Sequence, residues 1–266
     1  MADFETIALE VDGGVATLTL KRPERRNAID MTMRAELREA VGRLVRDADI
    51  RACVITGSGG SFCAGGDITS MRDRKPGIED ARERMRQTGE TVLALLSLEK
   101  PLIAAVDGPA YGAGFGLALA ADFVVATPRA RFCASFARIG LVPDFALHHS
   151  LPRRVGMGRA RELILSAREV DAEEALALGI ASRVVEQDRL IVTATAMAKS
   201  FVETSATAFA LSKNLLNQSF GLDLRQTVEA ESVAQAACLE TAYHKEAAQR
   251  FLDGKPPRFR WQADPA

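Results

Sequence analysis

Two glycine-rich segments carry the residue pattern best suited to chemistry in this sequence. Residues 62–68 (FCAGGDI) and residues 108–116 (GPAYGAGFG) each read as a strand that enters a glycine-containing turn and then opens a helix. Such turns leave backbone N–H groups free, and two of these groups aimed at one point can hold a carbonyl oxygen as it gains negative charge. The pair therefore predicts a site that activates an acyl group.

Both segments also have simpler interpretations. A strand followed by glycine and a helix occurs in any α/β protein, and it can also indicate a dinucleotide site. The second segment, however, spaces its glycines as Gly112-x-Gly114-x-Gly116, which is not the GxGxxG spacing, and it lies in the middle of the chain. We therefore favour two oxyanion donors over a dinucleotide loop or a purely structural pair of turns.

Composition narrows the class of protein. The 266 residues are 47% hydrophobic, which is enough to bury a substantial core. The 34 basic and 35 acidic residues leave a net charge of −1, which argues against a nucleic-acid partner. The four cysteines lack CxxC spacing, so neither a metal site nor a disulfide framework is expected, and a reducing cytoplasm is the simplest location. The cysteines are Cys53, Cys63, Cys133 and Cys238.

No segment approaches the length of a membrane span, which needs about 20 apolar residues. The acidic N-terminus, residues 1–5, continues directly into strand-like sequence and carries no pattern of a targeting peptide. We expect a soluble, unprocessed chain with no membrane partner.

Hydrophobic periodicity predicts a first unit of two strands and a helix. Residues 7–10 and 15–20 alternate between apolar and polar around a Gly-Gly pair, which is typical of a β-hairpin. From residue 33 to residue 45 the apolar residues follow helical spacing, and Asp30 precedes them as a plausible N-cap.

Further strands and helices alternate along the chain. Buried strands are predicted at 53–56, at 102–106 and from 123, and a long helical stretch ends near Ser97. This order indicates a mostly parallel sheet that is covered by helices. Residues 190–253 have almost no strand signal and read as two or three helices, whose apolar faces could pack on a neighbouring subunit.

Taken together, these segments resemble the enoyl-CoA hydratase/isomerase (crotonase) superfamily. The likeness runs from residues 21–28 (KRPERRNA) through both glycine segments to residues 251–255 (FLDGK). It implies an α/β fold, a crotonase-like spiral of β-β-α units over residues 1–200, with a C-terminal helical oligomerisation region over residues 201–266. It also implies an acyl-CoA substrate, a homotrimer or dimer of trimers, and no cofactor other than the coenzyme A of the substrate.

The resemblance assigns roles to residues of the two glycine segments. It implies that the backbone N–H groups of Gly66 and Ala113 form the oxyanion hole. Residues beside these two donors are then expected to contact the substrate. They are Ala64, Asp67, Ile68 and Gly112.

The acid–base residues depart from the pattern of the family's hydratases. The hydratases that this chain resembles carry a glutamate at each of two positions, which are occupied here by Gly116 and Phe136. Hydration benefits from two carboxylates, so the usual hydration route is not expected. Phe136 would instead line the substrate pocket and make it more apolar.

A single carboxylate is available at Asp144. The segment 139–144 (IGLVPD) resembles the one that supplies a lone catalytic aspartate in isomerases and in a dehalogenase branch of the superfamily, including the isomerase of the phenylacetate pathway. One carboxylate suffices to move a proton between two carbons of an enolate. An apolar wall at Phe136 would raise the pKa of Asp144 and improve it as a base.

Three side chains near this region have alternative interpretations. Asp144 could be a helix N-cap. His148, four residues later, would lie on the same side of a helix as Asp144 and could orient it, or it could simply be solvated. Cys63 is more often a small buried thiol than a nucleophile when no histidine accompanies it.

Basic residues provide candidate contacts to the phosphates of coenzyme A. Arg25, Arg26 and Lys255 could form a local basic patch, although exposed charge has the same appearance in a sequence. The sequence thus predicts an acyl-CoA enzyme that isomerises a double bond with Asp144 as proton shuttle. The alternatives are an enoyl-CoA hydratase, a silent CoA-binding scaffold, and a halide-releasing enzyme in which Asp144 attacks an aromatic ring.

Overall fold

A computed structural model of the chain describes residues 4–72 and 77–261. The prediction of an unprocessed N-terminus concerns residues 1–5, of which residues 1–3 lie outside the described ranges. The strands are β1 (Ile7–Asp12), β2 (Val15–Leu20), β3 (Ala52–Gly57), β4 (Leu102–Val106), β5 (Pro109–Tyr111), β6 (Phe123–Ala126), β7 (Arg131–Cys133), β8 (Glu169–Asp171) and β9 (Arg183–Val184). The helices are α1 (Met31–Arg46), α2 (Ile68–Arg72), α3 (Ile78–Leu96), α4 (Ala113–Leu119), α5 (Leu147–Ser166), α6 (Ala172–Ala177), α7 (Leu190–Val202), α8 (Ala206–Gln218), α9 (Leu224–Leu239) and α10 (Ala242–Leu252).

The strands form two sheets. The larger sheet has the order β1-β2-β3-β4-β6-β9, in which β1 and β2 are an antiparallel hairpin and the other neighbours are parallel. The smaller sheet has the order β5-β7-β8 and lies beside the glycine segments. The predicted hairpin and the predicted parallel, helix-covered sheet are therefore confirmed.

The central strands are almost entirely apolar because helices cover both faces of the sheet. Cys53 and Ile55 of β3 belong to a buried cluster with residues of α1 and α3. Val54, which points to the opposite face, belongs to a second cluster with Leu190 and Met197 of α7. A strand buried on both faces cannot show the alternation that marks a strand with one face in water.

Helix α1 begins where the sequence predicts. The side chain of Asp30 accepts a hydrogen bond from the Met33 N–H at 2.8 Å, which satisfies one of the free amides of the first turn. The buried residues of the helix recur at helical spacing and face the sheet. They are Met33, Leu37, Ala40, Val41 and Leu44.

The C-terminal part of the described chain consists of helices that return to the core. Helix α7 packs on β3 and β4, so the predicted division between residues 200 and 201 falls inside a helix that covers the sheet. The Lys213 ammonium of α8 is buried and lies 2.9 Å from the Asp122 carboxylate of the core. The division into two regions stays a prediction. Within the described ranges, no helix has the length and apolar composition that crossing a membrane requires.

Candidate active site

The first glycine segment is held as a short extended strand between two other parts of the chain. Residues 62–67 run between residues 26–29 on one side and residues 109–111 on the other. The backbone bonds that hold it are Ala64 N–H to Arg26 O (2.9 Å), Asp67 N–H to Ile29 O (3.0 Å), Cys63 N–H to Pro109 O (2.9 Å) and Tyr111 N–H to Cys63 O (2.9 Å). The two glycine segments are thereby fixed against each other.

The second segment requires glycine at two positions for different reasons. Gly112 adopts φ 51° and ψ −120°, a conformation that side chains disfavour, and Ala113 follows it as the first residue of α4. Gly114 packs so closely on the first segment that an added β-carbon would overlap the Cys63 carbonyl oxygen. The chain can therefore turn into α4 directly beside residues 63–66.

The N–H groups of Gly66 and Ala113 are left available by this arrangement. Among the described residues, neither group donates a hydrogen bond, whereas the amides of Asp67 and Gly112 beside them both do. The loops approach so closely that a β-carbon added at Gly65 would lie 3.7 Å from the Ala113 nitrogen. Two free amides on adjoining loops can stabilise an oxyanion if a carbonyl oxygen enters between them.

A cavity of about 450 Å³ opens at these two amides. Its wall includes exposed apolar side chains from three different parts of the chain, among them Ile68, Met85 of α3 and Leu141. Seven of the residues predicted from the sequence line it together. They are Ala64, Gly66, Ile68, Gly112, Ala113, Phe136 and Asp144.

Asp144 lies in this cavity with its carboxylate largely removed from water. Its Oδ1 atom is buried and has no hydrogen-bond partner within the described structure. Burial raises the pKa of the Asp144 carboxyl from 3.8 to about 6, and the positive charge of Arg34 opposes the rise. A carboxylate with a free lone pair and a pKa near neutrality is suited to accept a proton from carbon.

Arg34 is a cavity residue that sequence reasoning missed. It extends from α1 and donates a hydrogen bond to Thr88 Oγ1, whose hydroxyl donates in turn to the Arg84 carbonyl of α3 at 2.9 Å. Thr88 is only 2% exposed. The guanidinium is thus held on the cavity wall near Asp144. No local pattern marks it, because on α1 it looks like any other helical arginine.

Two alternative roles, Asp144 as a helix cap and His148 as its partner on the same helix face, both require a helix that begins at Asp144. Helix α5 begins at Leu147, its N-cap residue is Ala146, and no side chain caps it. Asp144 is therefore not a helix cap. The expectation that Asp144 and His148 share one face of a helix is wrong as well, because two left-handed residues separate Asp144 from α5 and His148 is exposed.

Gly116 and Phe136, at the two positions where the resemblance implies glutamates in hydratases, are both closely packed. A β-carbon at Gly116 would lie 2.5 Å from Cβ of Phe145, so α4 has no room for a side chain there. Phe136 is buried and lines the cavity. Phe136 therefore gives the cavity an apolar wall, and Gly116 leaves no space for a carboxylate on α4.

A second groove adjoins the cavity and contains two more predicted residues. Arg25 and Asp67 line it, and it shares Ala64, Gly66 and Ile68 with the cavity. The Asp67 carboxylate accepts hydrogen bonds from Thr69 and pairs with the Arg22 guanidinium at 3.1 Å, and these contacts lower its pKa. Asp67 thus stabilises the loop that carries Gly66, and an exposed arginine lies at the groove.

Two predicted basic residues do not line either space. Arg26 is exposed, and its carbonyl oxygen accepts the Ala64 N–H, so its backbone positions the first glycine segment. Lys255 is exposed beyond α10 and pairs with Asp253 at 3.0 Å. Their contacts with a substrate stay predictions. Cys63 is fully buried, and burial raises its thiol pKa to about 12, so it is not a nucleophile.

The fold and the paired amides define an α/β protein of the crotonase type. The structure is similar to a solved enoyl-CoA hydratase/isomerase from Cupriavidus metallidurans, with a TM-score of 0.94, 39% identity and coverage of 100% of both chains. The family model described as enoyl-CoA hydratase/isomerase matches residues 10–262. The chain belongs to this family, and it is an enzyme of the crotonase superfamily that acts on acyl-CoA.

Relatives with different activities are equally similar in sequence. A short-chain-enoyl-CoA hydratase from Clostridium acetobutylicum is 34% identical over 253 residues, covering 94% of this chain and 96% of the relative. A 1,2-epoxyphenylacetyl-CoA isomerase from Escherichia coli is 34% identical over 258 residues, covering 96% of this chain and 98% of the relative. Overall identity therefore does not distinguish isomerisation from hydration, and the site must be used instead.

Proposed function

We propose that this protein isomerises a double bond in an unsaturated acyl-CoA, with Asp144 as the proton shuttle. The observation that carries the proposal is the position of Asp144. Its buried carboxylate, with one unpartnered oxygen, lines the same cavity as the free amides of Gly66 and Ala113, and among the described residues that line this cavity no other side chain is a carboxylate.

The reaction needs one base and one oxyanion site. The thioester oxygen of a 3-enoyl-CoA accepts hydrogen bonds from the Gly66 and Ala113 N–H groups, and the Asp144 carboxylate removes a proton from the α-carbon. The electron pair moves into the thioester and the double bond, which gives a dienolate whose negative oxygen the two amides stabilise. Asp144, now protonated, returns the proton to the γ-carbon and leaves a 2-enoyl-CoA.

The groove beside the cavity suits the rest of the substrate. The acyl group occupies the apolar cavity, and the pantetheine and phosphates follow the groove that contains Arg25. Coenzyme A enters as part of the substrate, and the proposed chemistry needs neither a metal ion nor a further cofactor. Arg26 and Lys255 remain candidates for phosphate contacts in this proposal.

Hydration is the alternative within the same family, and two substrates separate it from isomerisation. With a 3-enoyl-CoA, we expect the absorbance of the conjugated thioester to rise as the 2-enoyl product forms. With crotonyl-CoA, we expect little loss of that absorbance. Rapid loss on crotonyl-CoA without gain on the 3-enoyl substrate would show a hydratase and contradict the proposal.

The role of Asp144 is tested by one isosteric substitution. Asp144→Asn removes the base but keeps the volume, so isomerisation should fall by roughly 100-fold or more while CoA affinity is retained. If the protein were a catalytically silent scaffold, neither the parent protein nor Asp144→Asn would show turnover. Unchanged turnover by Asp144→Asn would contradict the mechanism.

We further propose a homotrimer or a dimer of trimers in a reducing cytoplasm. Helices α8–α10 expose large apolar side chains that a neighbouring copy would cover, including Leu224 at 81% and Phe251 at 84% exposure. Cys53, Cys63 and Cys133 are free and buried, which suits a reducing compartment.

A further inference from the structure

Helix α4 packs at Gly116 against the segment that carries Asp144. A β-carbon added at Gly116 would lie 2.5 Å from Cβ of Phe145, 2.8 Å from the Phe145 carbonyl oxygen and 3.3 Å from the Asp144 carbonyl oxygen. Two of these neighbours are backbone atoms, which cannot rotate away as a flexible side chain can. The segment therefore packs directly on the backbone of α4.

The same segment has an uncommon backbone conformation. Phe145 and Ala146 adopt φ of 50° and 53°, the left-handed region that residues with a β-carbon enter at a cost. The Leu147 N–H closes the turn by donating to the Asp144 carbonyl oxygen at 3.1 Å, and the Phe145 side chain is only 5% exposed. Packing of Phe145 against α4 holds this turn in place.

We propose that Gly116 and the left-handed turn at Phe145 and Ala146 form a positioning device for Asp144, in which the missing β-carbon at residue 116 lets the carboxylate reach the cavity. This inference rests on the proposed function of Asp144. Any side chain at residue 116 pushes the turn outward. A side chain at residue 116 of α4 is therefore incompatible with the observed position of Asp144.

The test is Gly116→Ala, with Gly158→Ala as the matched control. Gly158 lies in α5, and an added β-carbon there meets nothing within 4 Å. For Gly116→Ala we expect kcat for the 3-enoyl-CoA to fall about 100-fold with KM changed less than about threefold, because displacing a catalytic group by about 1 Å has an effect of this size. Gly158→Ala should keep the parent kcat.

A pH profile separates positioning from a general loss of stability. In the parent, the acidic limb of kcat/KM should lie near the Asp144 pKa of about 6, because kcat/KM reports the free enzyme. In Gly116→Ala the limb should move to lower pH, because a displaced carboxylate is less buried. A folded Gly116→Ala protein with kcat within about threefold of the parent, or with the limb unmoved, overturns the inference.

A second pair of variants decides the matter if Gly116→Ala does not fold. Ala146→Val places a β-branched residue at φ 53°, whereas Ala146→Gly tolerates that angle. We expect kcat of Ala146→Val to be at least about tenfold below that of Ala146→Gly, and equal values overturn the inference. Asp144→Asn in parallel separates the two proposals: if it keeps full turnover, the proposed function fails, and if it alone loses turnover, only the positioning fails.

Discussion

Asp144 is a carboxylate that the fold makes less acidic and leaves with one unpartnered oxygen. Burial in an apolar cavity raises its pKa to about 6, and the positive charge of Arg34 opposes that rise. A base in this state can take a proton from carbon near neutral pH, whereas an exposed aspartate would be too weakly basic. The chemistry therefore depends on the balance between burial and one nearby positive charge.

The pH dependence of the rate follows from this balance. The base must be deprotonated, so kcat/KM should decrease as the pH falls through about 6. In Arg34→Met the opposing charge is lost, so the pKa of Asp144 rises further and the limb moves to higher pH. Arg34→Lys, which keeps the charge, should show a smaller shift. A limb at the same pH in all three proteins would contradict this account.

Short segments between the elements, more than the elements themselves, build the oxyanion hole. Asn27 is fully buried and adopts φ 55°. Its Nδ2 donates to the carbonyl oxygens of Ser58 (2.9 Å) and Ser61 (2.7 Å), and its Oδ1 accepts the Arg22 N–H at 2.8 Å. One side chain thus connects the loop after β2 with the turn after β3, which leads into the first glycine segment.

Removal of that connection should destabilise the fold measurably. Asn27→Ala removes the side-chain partner of one buried and two partly buried backbone groups, so we expect the free energy of unfolding to fall by about 2–4 kcal/mol. Urea denaturation monitored by circular dichroism measures this. Asn214→Ala, which removes one long surface hydrogen bond to Glu99, should change stability by less than about 0.5 kcal/mol. Equal effects of the two substitutions would show that the Asn27 contacts are not important.

Sequence patterns predicted the elements whose signals are local. The β1–β2 hairpin, the Asp30 cap of α1 and strand β4 follow from periodicity and capping over a few residues. The short strands β8 and β9 have no such signal, because two or three residues pair only when the tertiary structure presents a partner.

As with the strands and helices, only part of the active site could be predicted from the sequence. The glycines identified the two loops, and the resemblance identified Asp144. The place of Arg34 depends on the packing of α1 against α3, and the place of α5 depends on the left-handed turn at Phe145, so neither could be read from the sequence.

At the scale of the whole molecule, aromatic packing closes the described C-terminus onto the core. The Phe201 ring of α7 lies 5.4 Å from the ring of Phe209, 5.7 Å from that of Phe259 and 5.3 Å from that of Trp261. Helices α9 and α10, which have no buried residue, therefore extend away from the core, and the chain then returns to it. The apolar residues exposed along this excursion are the surface proposed to meet another copy.

Assembly is tested by placing a charge on that surface. Leu252 of α10 is 78% exposed, and Leu165 of α5 is a matched leucine at 72% exposure. We expect Leu252→Asp to lower the mass measured by analytical ultracentrifugation, because burying a carboxylate in an apolar contact is strongly unfavourable. Leu165→Asp should leave the mass unchanged. A parent protein that sediments as a monomer would contradict the proposed assembly.

Exchange of the α-proton tests the central claim most directly, because it needs an enolate but no net reaction. The protein is incubated with a saturated thioester, butyryl-CoA, in deuterium oxide, and the acyl mass is followed by mass spectrometry. The account predicts that the parent enzyme incorporates deuterium at the α-carbon and that Asp144→Asn incorporates it only at the uncatalysed rate. Equal incorporation by both proteins would show that Asp144 is not the base, and no incorporation by the parent would contradict an enolate held by Gly66 and Ala113.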